Sequence, residues 1–424
     1  MQRKPKALIF IGFRSKRKSI LSAREEGYKT ILLTRKILPG AKKLFNLIIE
    51  DNILDEEVIK KIIPLIKKKY RVKGIISNYE HYVVARSYLA WYFSIPSTTV
   101  YGACCSRNKA MQRHALKYMK ENIDFRTIKT EQEAIKAFNK LGKDVFLKAI
   151  AGIKSRFIFH ITSLPDLKKA FQTIKKNISD IDEDLYNDYN YCDFNFKYPN
   201  PKSTFLIEKA ETGSQITTLA LASKHTIWHA PSACDVYTAK DIGIDDSYLA
   251  FRILPSNKPK EAIKAAKKTT ETAIRILGLQ YCPAHSEMIY TKDKQIKMIE
   301  IASRMGGYRP RMYKEAYGLN VNKLLVSSII GKEIKTRKRP IKYVSLNEIF
   351  PKKEGLFQSI HNLQELQQDK NIKDIKVQVQ EDEMVGPAKI NYAPVLQFLV
   401  FGSTYNQVYE KSLYYQKNLT INLK

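Results

Sequence analysis

Near the N-terminus, short apolar runs alternate with longer segments of helical period. This alternation constrains the fold more than any other feature of the chain. Residues 7–13, ALIFIGF, read as a buried strand, 15–26 as a helix closed by Gly27, and 30–34 as a second strand. Residues 56–70 read as a further helix and 74–77, GIIS, as a third strand. Strands joined by helices pack as a parallel sheet covered on both faces, so the expected class is α/β. No G-x-G-x-x-G follows the first strand, only a lone Gly12, which argues against a dinucleotide site there.

The chain has 424 residues, too many for one domain at roughly 150 residues each. A second block opens near Ser106, with a helix over 108–122, a capping box at Thr130-x-x-Glu133, strands at 144–148 and 157–161, and a helix over 164–177. The acidic and aromatic stretch 179–203 reads as a surface insertion. A third block has strands at 205–208 and around 215–222, an amphipathic helix 260–277 ended by Gly278, a hairpin within 284–304 and a helix 320–330. From Pro340 onward the pattern is mostly short strands punctuated by Gly355, Gly386 and Gly402. The expected units are 1–103, 104–203, 204–335 and 336–424.

The stretch 285–304 carries the most chemistry. It reads as two strands around a turn at Asp293-Lys294, so residues whose numbers sum to 587 face each other. That register sets Glu287 opposite Glu300, with His285, Ala302 and Arg304 on the same face. Facing carboxylates repel unless a cation lies between them, and Mg2+ takes a few carboxylates together with substrate phosphates. Two solvated glutamates on a hairpin are the plain alternative, which the register alone leaves open. Met305-Gly306-Gly307 follows Arg304 directly, and Arg309 and Arg311 lie just beyond. A glycine turn flanked by cations suits an anionic ligand.

H-x-E, then a hairpin, then E-I-x-x-R-x-G-G resembles the metal-binding signature of the ATP-grasp superfamily. Asn108-Lys109-x-x-x-Arg113 resembles the opening of the family's nucleotide-binding lobe. Residues 145–148 resemble its strand ending in an ATP-binding lysine, and Leu206-Ile207-Glu208-Lys209 its adenine hinge. The last block, with Phe350-Pro351, Gly355, and Gly386 ahead of a strand ending Val400-Phe401-Gly402-Ser403, resembles the C-terminal domain of L-amino-acid ligases.

The resemblance implies a multi-domain ATP-grasp architecture. Its parts are an N-terminal parallel α/β domain, a two-lobed α+β nucleotide-binding region and a small β-rich C-terminal domain. It implies an ATP- and Mg2+-dependent ligase, with Mn2+ as a substitute, that joins a carboxylate, an amino acid, to an amine through an acylphosphate. Lys109, Lys148, Ser155, Glu208, Lys209, Ala210 and Gln215 would bind ATP, Glu287 and Glu300 the metal, and Arg304 would be catalytic. His285, Arg311, Gly306 and Gly307 would meet substrate. An ATP-grasp carboxylase, a purine-pathway ligase and a non-catalytic ATP-grasp protein binding an anionic partner are the alternatives. The chain departs from the family pattern in the phosphate loop, where Lys154 and Phe157 replace glycines, and at Ala302, where a metal-binding Asn is usual.

Lys and Arg number 73 against 42 Asp and Glu, a net charge of +31. The lysines are spread along the whole chain and no nucleic-acid motif accompanies them, so small anionic substrates, not specific nucleic acid, are expected. The five cysteines have no C-x-x-C spacing, which reads as reduced thiols in a cytoplasmic protein without a zinc site. No apolar run approaches bilayer-spanning length, so no membrane partner is expected, and a homodimer is admitted.

Overall fold

A computed structural model describes residues 4–12, 17–152, 157–179, 196–246, 248–336, 339–388 and 392–424. The N-terminal part runs β1 (Lys6–Ile11), α1 (Arg17–Glu25), β2 (Lys29–Thr34), β3 (Leu47–Glu50), α2 (Glu56–Lys69), β4 (Arg71–Ile76), α3 (Val83–Tyr92) and α4 (Val100–Cys105). Its sheet has the order β3-β2-β1-β4 and every pairing is parallel, as the alternation predicts. Strands β1 and β2 are buried at every position after the first, the mark of a sheet covered on both faces. Helix α2 shows why such segments are helical. Asp55 caps the Glu57 N–H, Glu56 and Glu57 sit in the first turn, Lys67, Lys68 and Lys69 in the last, and Ile59, Ile62, Ile63 and Ile66 form the buried stripe.

The next part holds α5 (Lys109–Ala115), β5 (Phe125–Ile128), α6 (Glu131–Lys140), β6 (Val145–Ala149), β7 (Ile158–Ile161), α7 (Leu164–Ser179) and β8 (Phe205–Lys209), with the antiparallel sheet order β5-β8-β6-β7. The capping box at Thr130 and Glu133 is present. Helix α5 stops well short of the expected 122. The Asn122 side chain donates to the Arg113 carbonyl at 3.1 Å and takes the acceptor that a continuing helix would use.

A nine-stranded sheet carries the remainder of the chain's centre. Its strands here are β9 (Gly213–Ala222), β10 (Ile227–His229), β11 (Cys234–Thr238), β12 (Leu249–Leu254), β13 (Cys282–Thr291) and β14 (Ile296–Ala302), with helices α8 (Lys260–Ile276), α9 (Arg309–Tyr317) and α10 (Val321–Ile329). Then follow β15 (Tyr343–Ile349), β16 (Gly355–His361), α11 (Leu363–Gln368), β17 (Ile372–Val377), β18 (Met384–Val385), β19 (Leu396–Gly402), α12 (Tyr405–Asn418) and β20 (Thr420–Leu423). The large sheet has the order β14-β13-β9-β11-β12-β15-β19-β17, with β10 on β9, so three C-terminal strands extend it. The short strands expected after Pro340 are there, but a fourteen-residue helix, α12, stands among them, opened by a capping box at Thr404 and Gln407. Strand β14 closes one end of the large sheet and carries Glu300.

Candidate active site

Glu287 and Glu300 face each other across the β13–β14 ladder, as do His285 and Ala302. Near the turn the register is different: Met288 faces Met298 and Tyr290 faces Ile296. A bulge restores the expected pairing, with Ile299 as the extra residue. Without it Glu287 would face Ile299, and Glu300 would turn to the other side of the sheet. The bulge is therefore the device that brings the two carboxylates together.

Strand β14 has no strand on its outer side, so its polar groups need other partners. Side chains from α5 supply them. Gln112 donates to Ile301 O at 2.8 Å and accepts from Ile301 N at 2.9 Å. Arg113 donates to Met298 O and Ile299 O, each at 2.8 Å. Arg86 of α3, fully buried, donates to Ser303 O at 2.8 Å. At the N-terminus of the same α5, the Lys109 ammonium lies 3.1 Å from Glu300 Oε2.

Around Glu287 the polar groups converge further. Gln215 donates to its Oε2 at 3.3 Å, and His285 Nε2 lies 3.4 Å from its Oε1. Burial pushes the Glu287 carboxyl up, but the His285 contact and the Arg304 and Arg309 charges outweigh it and hold the group below the usual carboxylate range. Burial lowers the His285 pKa against the opposing pull of Glu287. Burial also pulls Lys109 down, and the Glu300 charge and hydrogen bond, together with the Glu80 and Glu208 charges, more than offset it.

Arg304 ion-pairs with Glu80, which comes from the loop after β4. Sequence reasoning missed Glu80, and no local motif marks it. Of the two arginines beyond the glycine turn, the structure turns Arg309 inward: it is buried and donates to Thr217 Oγ1 at 2.6 Å, and Thr217 faces Glu287 across β9–β13. Arg311, expected at the substrate, pairs with Asp374 of β17. Gly306 packs against the site, where an added Cβ would lie 2.9 Å from both Arg309 Cγ and His285 Nδ1. Gly307 has open space around it.

The second cluster lies in the β5–β8 sheet. Glu208 faces Phe146 on β6, so Lys148 is its diagonal neighbour on the same face. The buried Glu208 carboxylate takes Lys148 Nζ at 2.5 Å on one oxygen and Arg113 Nε at 2.5 Å on the other. Burial alone would raise its pKa, but these two charges bring it down to about 2. The N–H groups of Lys209 and Ala210 donate to Asp124 O and Asp144 O, each at 2.9 Å, so both have backbone partners. Ser155 and the rest of 153–156 lie outside the described residues.

Among the described residues no cluster of three or more His, Cys, Asp or Glu side chains forms a metal cage. Mg2+ keeps several waters and is commonly held by one or two carboxylates plus substrate phosphates. Glu287 and Glu300 fit a cation that arrives with phosphates, with Gln215 and Lys109 as neighbours. A cavity of about 520 Å³ lies away from this pair, at the start of β4, lined by Lys4, Lys67, Arg71 and Lys73 with Tyr70 and Phe93.

The whole chain superposes on the whole of an L-amino acid ligase from Bacillus licheniformis, with a TM-score of 0.80 at 17% identity. N5-carboxyaminoimidazole ribonucleotide synthetase from Thermotoga maritima gives 0.68 at 16% identity, over 99% of this chain and 100% of that one. The chain has the ATP-grasp fold. A further ATP-grasp structure, N5-carboxyaminoimidazole synthetase from Staphylococcus aureus complexed with ADP, gives 0.71 at 15% identity over 98% of both chains. In sequence, 92 residues are 33% identical to the alanine–anticapsin ligase of Bacillus subtilis (strain 168), 21% of this chain and 18% of that protein. The match thus spans less than a fifth of that relative's length. No family model matches the chain. These ATP-grasp resemblances agree with the one read from the hairpin signature. Among the described residues no helix is long and apolar enough to cross a membrane.

Proposed function

We propose that the chain is an ATP-dependent carboxylate–amine ligase with an amino acid as the carboxylate. The observation that carries this reading is the Glu287–Glu300 pair, set face to face by a bulge and ringed by Lys109, Arg304 and Arg309. In the first step a substrate carboxylate oxygen attacks the γ-phosphorus of ATP. The new O–P bond forms as the bond to the β-phosphate oxygen breaks, giving an acylphosphate and ADP. In the second step an amine nitrogen attacks the acyl carbon, the C–N bond forms, phosphate leaves, and the amine proton passes to solvent. Bound Mg2+ would supply charge neutralisation to the phosphates.

The chain's own residues align two anions and screen their repulsion. Glu287 and Glu300 would hold the metal, Lys109 and Lys148 the phosphate chain, and Arg304 the charge that develops on the acyl group. For Lys148 and Arg304 to do this, each exchanges its carboxylate partner, Glu208 or Glu80, for the ligand. Two neighbours favour the amino-acid reading: the L-amino acid ligase over the full chain and the alanine–anticapsin ligase over 92 residues. The test is ADP release with ATP, Mg2+ and pairs of amino acids, with products identified by mass. Turnover that requires an amino acid, and is abolished in Glu287→Ala and Glu300→Ala with the fold intact, is expected. Full turnover in Glu300→Ala contradicts the assignment.

A further inference from the structure

Arg113 is among the largest fully buried side chains of the described structure, and it touches neither the carboxylate pair nor the ammonium of Lys148. Its planar fork instead joins two strands from different sheets. Nε donates to Glu208 on β8, Nη1 to Met298 O and to Asn122 Oδ1, and Nη2 to Ile299 O. The two carbonyls it grips belong to the bulge that turns Glu300 toward Glu287. The carboxylate it grips is the one that also holds Lys148.

We propose that Arg113 is a positioning residue that fixes the β14 bulge, and so the carboxylate pair, relative to the lysine and hinge of the nucleotide lobe. This rests on the reading of Glu287 and Glu300 as the metal pair. Three features of the geometry support it. An edge strand with a bulge has no ladder of its own to hold the extra residue, so its carbonyls depend on outside donors. Arginine offers five N–H donors in one rigid plane and four are used here, a pattern that lysine's rotating ammonium cannot reproduce. When phosphates draw Lys148 away from Glu208, Arg113 still neutralises that buried carboxylate, so β8 stays anchored to β14 while the lysine changes partner.

The test compares ADP binding with and without Mg2+ by calorimetry in the wild type, Arg113→Lys, Asn122→Ala and Arg252→Lys. Asn122 braces Arg113 from outside the site, so its variant reads the same effect if Arg113→Lys does not fold. Arg252 pairs with Glu348 between β12 and β15 and is the control for a merely structural arginine. In Arg113→Lys, metal-free ADP affinity is expected to stay near wild type while the gain conferred by Mg2+ falls about tenfold or more. Asn122→Ala shifts the same way by less, and Arg252→Lys leaves the gain unchanged. An intact Mg2+ gain in Arg113→Lys, or in Asn122→Ala where Arg113→Lys does not fold, overturns the proposal. So does an equal loss with and without metal.

Hydrogen exchange at the amides of residues 299–301 in the nucleotide-free chain reads the bulge directly. Faster exchange there in Arg113→Lys, or in Asn122→Ala, is expected, and wild-type protection contradicts the proposal. If the wild type binds no ADP, the ligase reading fails, and the exchange measurement alone decides the role of Arg113.

Discussion

Glu208 shows how much of the site depends on single charges. Its carboxylate has Arg113 on one oxygen and Lys148 on the other, and its pKa is about 2. In the unfolded chain a glutamate titrates near ~4.3. The folded state therefore binds fewer protons between these values. The stability that Glu208 contributes is fully present above the unfolded value and is lost as pH falls through the folded one. Urea unfolding from pH ~6 down to ~2 is expected to show a decline that is shallower in Glu208→Gln, although that variant starts less stable because two cations lose their partner. An identical slope in the variant contradicts the assignment of charge. The Lys148–Glu208 pairing was legible as two separate motifs but not as a contact, because it depends on a β6–β8 register that no local pattern reports. The choice between Arg309 and Arg311 was equally hidden. Both follow the glycine turn, and only the packing of α9 shows that the first turns in and the second meets Asp374.

At the scale of elements, the hairpin was read correctly at its two carboxylates through a count that missed the bulge. The expected turn at 293–294 gives the sum 587, the pairs nearest the turn sum to 586, and Ile299 supplies the difference. Bulges leave little sequence signal when the extra residue is apolar like its neighbours. Helix α12 was missed although its opening, Thr404-x-x-Gln407, is the same capping pattern that marked α6. The turn after the hairpin carries a prediction of its own. A Cβ at Gly306 meets Arg309 and His285 at 2.9 Å, whereas at Gly307 nothing lies within 4 Å. Gly306→Ala is expected to lower stability by about 1–3 kcal/mol, the range for overpacking, and Gly307→Ala to change it little. Urea midpoints of the two variants check this, and equal midpoints contradict the packing described.

Across the whole molecule, three contributions from distant parts of the chain meet on one edge strand and the segment that follows it. Helix α5 holds the bulge and places Lys109 on Glu300, Arg86 of α3 holds Ser303, and Glu80 pairs with Arg304. These contacts span about two hundred residues of sequence separation, and none is visible in local periodicity. The parallel N-terminal sheet and the hairpin signature were legible because each is local, a strand–helix alternation in one case and a two-strand register in the other. The central claim is that Glu287 and Glu300 hold a divalent cation together with nucleotide phosphates. Calorimetric titration of ADP, with and without Mg2+, into the wild type and Glu300→Ala tests it most directly. Mg2+ is expected to tighten ADP binding about tenfold or more in the wild type and not at all in the variant. No tightening in the wild type, or the same tightening in the variant, contradicts it.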